Sequence, residues 1–252
     1  MPIAADIYYH AYQKEEKLPV ILIHGAGGTH LFWPSEVRRL NGFRVYALDL
    51  PGHGKSAGRG QQSITAYAGS VIDWLAALDM HRAVFIGHSM GGAIVQTIAL
   101  DYPEHVLGLG LVGSAAKLPV NPQLLDDSAN PTTFHLAIES IVSWSFGPDV
   151  PKSLVEMAGK RFSEVRPSVL QGDLIACDAF DVTDRVMDIV QSALVICGSE
   201  DKMTPSRNSQ FLADTLPAAR LEVIPGAGHM VMIEKPQEVA DTLRKFLGDI
   251  NY

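Results

Sequence analysis

The sequence predicts an α/β fold: a mostly parallel central sheet flanked by helices on both faces, with a small helical cap inserted. Three observations carry this. Apolar runs of four to six residues recur at 20–24, 45–48, 83–87, 107–112, 194–197 and 221–224, the pattern of parallel strands covered on both faces. Stretches of helical period lie between them, and that alternation argues for a parallel sheet. One proline-marked stretch, residues 118–188, breaks the rhythm and reads as an insertion.

Taken in order, "DIYYHAY" at 6–12 alternates polar and apolar residues, as an antiparallel strand at the sheet's edge does. Run 20–24 leads into "HGAGG" and run 45–48 into "LDLPGHGKS". Residues 63–78 place apolar side chains at 64, 67, 68, 71, 74, 75 and 78, one helical stripe with Ser63 as N-cap. Run 83–87 is followed by the apolar helix "GGAIVQTIAL". Prolines at 119, 122, 131, 148, 151 and 167 divide the insertion into short helices, one of which sets Phe134, Ile138, Ile141 and Val142 on one face. Run 194–197 opens onto "GSEDKMTP" and run 221–224 onto "GAGHM". The last helix, entered through Pro236, carries Val239, Leu243, Phe246, Leu247 and Ile250. The expected organisation is a core of 1–117 and 189–252 with a cap of 118–188, placed where insertions cover a site.

Composition excludes several classes. The chain has 252 residues, 47% hydrophobic and 19% charged, as a soluble globular protein has. Twenty basic residues against 28 acidic ones give a net charge of −8, and without a basic cluster nucleic acid is not an expected partner. The first residues lack the pattern of a secretory signal, and no apolar run reaches the roughly 18 residues of a membrane span. Cys177 and Cys197 form no close pair that would suggest zinc or a redox motif; Cys197, ending an apolar run, reads as a small buried hydrophobe. The expectation is a reduced, cytoplasmic protein with no metal and no cofactor.

The chemistry centres on Ser89. Gly87, Gly91 and Gly92 surround it, although each glycine costs roughly 0.5–1 kcal/mol relative to alanine in a regular element. They form G-x-S-x-G between a strand and a helix, a turn sharp enough to lift a serine hydroxyl above the sheet. A serine needs a base. Among nine histidines, His229 lies in a glycine-bearing loop after a strand, while His24 and His53 read as loop-holding groups. The base needs a carboxylate to set its tautomer, and Glu200 and Asp201 both follow the preceding strand. An oxyanion needs two donors: the Met90 N–H at a helix start, and one from "HGAGG", with Ala26 first and Gly27 as the alternative.

"HGAGG", "LDLPGHGKS", "GHSMGG", "GSEDKMTP" and "GAGHM", in this order over almost the whole chain outside the insertion, resemble the α/β-hydrolase superfamily. The resemblance implies a triad of Ser89, Asp201 and His229, selects Asp201 over Glu200, and makes the insertion a cap. Serine as nucleophile separates the chain from the epoxide hydrolases and haloalkane dehalogenases, which use aspartate. Within the family it is similar to carboxylesterases, monoacylglycerol lipases and enol-lactonases. Phe134, Trp144, Phe146 and Phe162 suggest an apolar or aromatic pocket. Trp33, Trp144 and Phe146 are the candidates for substrate contact, with packing as the competing role for each.

The expected function is ester hydrolysis on a small-molecule substrate through an acyl-enzyme on Ser89. Lactone hydrolysis and carbon–carbon bond hydrolysis of dienone-type substrates are the alternatives. The carbon–carbon reaction calls for cap residues that hold a second carboxylate, for which only Arg161, Arg166 and Arg185 are available. A hydrolase-fold receptor is a third class. Dinucleotide binding fails on its own motif: His30 stands where G-x-G-x-x-G needs its last glycine.

Overall fold

Four consecutive side chains, Val20 to Ile23, are fully buried. Val20 and Leu22 join one core cluster, Ile21 and Ile23 the other. Successive strand residues face opposite ways, so the sheet is covered on both faces. The computed structural model describes residues 2–12 and 17–251.

Among these residues the strands are β1 (Ile3–Ala4), β2 (Ile7–Tyr12), β3 (Pro19–Ile23), β4 (Arg44–Asp49), β5 (Ala83–His88), β6 (Val106–Val112), β7 (Ala193–Gly198) and β8 (Ala219–Ile224). They form one sheet in the order β1-β2-β4-β3-β5-β6-β7-β8. β2 pairs antiparallel with β4, and every pairing from β4 to β8 is parallel. Each expected strand is present. β8 starts two residues earlier than its apolar run, because as an edge strand it takes in exposed residues such as Arg220.

The helices are α1 (Ser35–Arg38), α2 (Ile64–Ala77), α3 (Met90–Asp101), α4 (Pro122–Ala129), α5 (Phe134–Ser145), α6 (Lys152–Phe162), α7 (Pro167–Asp178), α8 (Ser206–Thr215), α9 (Val231–Glu234) and α10 (Pro236–Gly248). α2 packs Tyr67, Val71, Trp74 and Leu75 on one face of the sheet, beside α3. Ser63 caps α2 by accepting from the Ala66 N–H at 3.4 Å. On the other face α10 buries Val239, Leu243, Phe246 and Leu247, each contributing about 1.5–3 kcal/mol. Pro236 occupies its first turn, where a missing N–H costs no helix bond.

The connection from β6 to β7 holds α4 to α7. At its neck Lys117 and Asp181 form a 2.8 Å ion pair and the Val182 N–H donates to the Ala116 carbonyl. Residues 183–188 form a short 3₁₀ turn whose Val186 packs into the main core. Cys177 and Cys197 are free and buried, and burial pushes both thiols up. No helix among the described residues is long and apolar enough to cross a membrane, and no cluster of potential metal ligands occurs among them.

Candidate active site

Five loops at the carboxyl ends of the parallel strands build the site, where open α/β sheets bind their ligands. The turn after β5 carries Ser89, whose backbone sits at φ 53°, ψ −117°, a strained region for a residue with a side chain. Its N–H donates to the Val112 carbonyl at 2.9 Å, and its own carbonyl accepts from Ser114 Oγ at 2.9 Å. The flanking glycines are required by contact. A Cβ on Gly87 would lie 2.1 Å from the Gly91 oxygen, and one on Gly91 would lie 2.3 Å from the Ile23 oxygen. β5, α3 and β3 therefore approach more closely than any side chain permits.

β8 leads to His229 and β7 to Asp201. Asp201 Oδ2 accepts from His229 Nδ1 at 2.9 Å and from Thr204 Oγ1 at 2.8 Å, while Oδ1 accepts from the Met203 and Thr204 amides. Burial opposes a charge on Asp201, yet His229 and these donors hold its carboxyl below the usual range. Glu200 is exposed and accepts from Ser199 Oγ instead. His229 is itself tied down: its carbonyl accepts from His88 Nε2 at 3.0 Å, and the next amide, Met230, donates to the Ser145 carbonyl. Burial and the neighbouring His229 lower the His88 pKa to about 3, so His88 stays neutral. Glu234 accepts from the amides of Gly147 and Gly228, joining the end of α5 to the His229 loop.

The loop after β3 carries Ala26 and Gly27, the expected oxyanion donors. The Gly25 carbonyl accepts from the Gly28 amide at 3.0 Å and from His24 Nδ1 at 2.8 Å, while His24 Nε2 accepts from the Leu50 amide. Burial and His53 lower the His24 pKa to about 4. The Gly27 N–H donates to Asp173 at 2.8 Å, so the alternative oxyanion donor is already engaged. Asp49 is likewise occupied, accepting from the His30 ring and from the His30 and Lys55 amides.

Ser89, His229 and Ala26 line one pocket of about 420 Å³, with Phe32, Ile141, Ser145, Phe162, Leu174, Met203 and Met230. The three expected substrate contacts sit elsewhere. Trp33 is fully buried and Phe146 is buried in the same core cluster, against which Trp144 packs partly buried. Phe32, Ile141 and Phe162 line the pocket in their place. Of the arginines weighed for a carboxylate, Arg161 donates to the Leu31 carbonyl, Arg166 to the carbonyls of Gly52 and Gly58, and Arg185 to Asp101. None of them lines the pocket.

His88, Asp173 and Glu234 escaped the sequence reading. Only Asp173 leaves a readable trace, an acidic residue on the apolar stripe of Val169 and Cys177, at the spacing of one helix face.

Known proteins resemble this chain along most of its length. The pimeloyl-[acyl-carrier protein] methyl ester esterase of Vibrio vulnificus is 25% identical over 98% of this chain and 100% of its own. The solved structure of a thermophilic esterase is 33% identical, with a TM-score of 0.83 over 96% of this chain and 93% of that one. Est816, described as an N-acyl homoserine lactone degrading enzyme, is 28% identical with a TM-score of 0.84, covering 95% and 96%. The family model for the alpha/beta hydrolase fold matches residues 19–236, from the first residue of β3 to the first of α10 and thus every loop of the site. With that span matched, the chain belongs to the α/β hydrolase fold family.

Proposed function

We propose that the protein is a serine carboxylesterase acting on esters of small apolar or aromatic acids. The observation that carries this reading is the pocket: about 420 Å³ of largely apolar lining around Ser89 and His229, with no lysine or arginine among its lining residues. The lining offers nothing to hold a second carboxylate, which weighs against the carbon–carbon hydrolase. The reduced, buried cysteines fit a cytoplasmic enzyme, and no step of the reaction calls for a cofactor.

In this reading Ser89 Oγ attacks the ester carbonyl carbon and passes its proton to His229 Nε2. Asp201, accepting from Nδ1, fixes that tautomer and stabilises the imidazolium. The amides of Met90 and Ala26 take the oxyanion, Met90 at the positive end of α3. Collapse breaks the ester bond, and the leaving alkoxide takes the proton from His229. Water then adds to the acyl-enzyme, giving its proton to His229, and the second collapse releases the acid and returns the proton to Ser89.

A lactone is an intramolecular ester and follows the same steps. The likeness to the lactone-degrading enzyme over 95% of the chain keeps it as the second reading. Turnover of a p-nitrophenyl ester series, compared with an N-acyl homoserine lactone and a ring-cleavage dienoate, tests the assignment. Esters of short acids are expected to lead. Exclusive turnover of the dienoate would overturn the reading.

A further inference from the structure

We infer that Asp173, on α7 of the insertion, is a positioning residue for the oxyanion loop: its buried carboxylate orients the Ala26 amide by holding Gly27. This inference rests on the esterase reading above. Asp173 is fully buried and accepts from three donors, the Gly27 N–H at 2.8 Å, His53 Nε2 at 2.8 Å and the Tyr67 hydroxyl at 2.5 Å. A carboxylate in such a place is tolerated only when its lone pairs are satisfied.

The geometry of the peptide explains what those bonds achieve. A peptide unit is planar, with C=O and N–H pointing in opposite directions. The unit before Ala26 Cα contains the Gly25 carbonyl and the Ala26 N–H. Its carbonyl is pinned from the core by the Gly28 amide and His24 Nδ1, which turns the Ala26 N–H the other way. The unit after Ala26 Cα contains the Ala26 carbonyl and the Gly27 N–H, and Asp173 pins that one from the insertion. Both planes flanking Ala26 are thus fixed, one by each part of the molecule. Gly27 sits at φ +64°, where a glycine swings freely once its amide is released. Loss of Asp173 therefore frees the second plane; a swing at Gly27 carries the adjoining Gly28 amide off the Gly25 carbonyl, and the Ala26 amide then drifts from the oxyanion. The insertion in this way contributes to the chemical step as well as to substrate choice.

The test compares Asp173→Ala and Asp173→Asn with the wild type on a p-nitrophenyl ester, beside Val71→Ala as a destabilised core control. A displacement of about 1 Å at a reacting group costs on the order of 100-fold. Asp173→Ala is expected to lower kcat by roughly 30- to 100-fold while KM stays within about threefold. Asp173→Asn keeps an oxygen for the Gly27 amide and is expected to recover most of that loss. The Ki of a trifluoromethyl ketone, which forms a tetrahedral adduct on serine, should rise in step with the loss of kcat/KM. The Ki of the product acid should not move. Val71→Ala should lower Tm and leave kcat alone. If Asp173→Ala does not fold, Asp173→Leu, of similar size and without an acceptor, decides with the two inhibitors: equal changes in both Ki values overturn the inference, and a selective loss on the ketone supports it. Unchanged kcat in a folded Asp173→Ala also overturns it while leaving the esterase reading intact. Retained turnover in Ser89→Ala would instead remove the esterase reading, and this inference with it.

Discussion

Replacing Asp201 by asparagine changes one atom that faces His229. Oδ1 of Asp201 accepts from two backbone amides, Met203 at 2.9 Å and Thr204 at 2.8 Å, so an asparagine places its oxygen there. Its NH₂ then occupies the site of Oδ2, where Asp201 now accepts from His229 Nδ1 at 2.9 Å and from Thr204 Oγ1 at 2.8 Å. A donor facing Nδ1 forces that nitrogen to accept, and the ring proton moves to Nε2, the nitrogen required to take the proton of Ser89. The base is blocked with the fold unchanged. Tautomer loss of this kind lowers kcat by about ten-thousandfold, or about 5 kcal/mol of barrier. Glu200→Gln, by contrast, alters an exposed group bonded to Ser199 and is expected to stay within about twofold, as surface changes do. Steady-state hydrolysis of p-nitrophenyl acetate by both variants, with Tm and circular dichroism as folding controls, measures the difference. Equal losses, or a larger one in Glu200→Gln, would refute the assignment of Asp201 as the orienting acid.

Three further outcomes are expected. Phe162→Ala opens the pocket beside Phe32, 4.8 Å away ring to ring, so kcat/KM should shift by about tenfold toward longer acyl esters; Trp144→Ala, outside the pocket, should leave the profile unchanged, and the reverse ranking would mean that the pocket is misassigned. Burial alone would lower the His53 pKa, but Asp173 raises it above its ordinary value. The pair therefore stabilises the fold fully below about pH 6.5 and loses that contribution as pH rises through the raised native pKa. The Tm gap between wild type and His53→Gln should be widest near pH 6 and narrow toward pH 9, and a gap that widens with pH contradicts the pairing. With His229 as the proposed base, kcat/KM should rise with pH on its acid side and stay flat into mild alkali; a profile falling from pH 5 to 8 excludes the mechanism.

The strands and the serine turn were legible because they answer to local rules. Residues such as Val84, Phe85 and Ile86 are apolar in succession because both faces of β5 are covered, and Gly87 and Gly91 mark a backbone approach that is visible as composition. The site's supports were not legible, because their partners are distant. Asp173 meets Gly27 across 146 positions and His88 meets the His229 carbonyl across 141, and no spacing rule reaches so far. Trp33 illustrates the other gap. A large aromatic residue just past a glycine-rich loop suits substrate contact and core packing equally in sequence, and only the fold, which buries Trp33 fully in a core cluster, assigns it to packing.

The central claim, that Ser89 is the nucleophile of a working serine hydrolase, is tested most directly by labelling with a fluorophosphonate probe followed by intact mass and peptide mapping. One equivalent of probe on the peptide carrying Ser89, abolished in Ser89→Ala and lost together with p-nitrophenyl ester turnover, is the expected result. Labelling at another serine with Ser89 unmodified, or turnover that survives in Ser89→Ala, would contradict it.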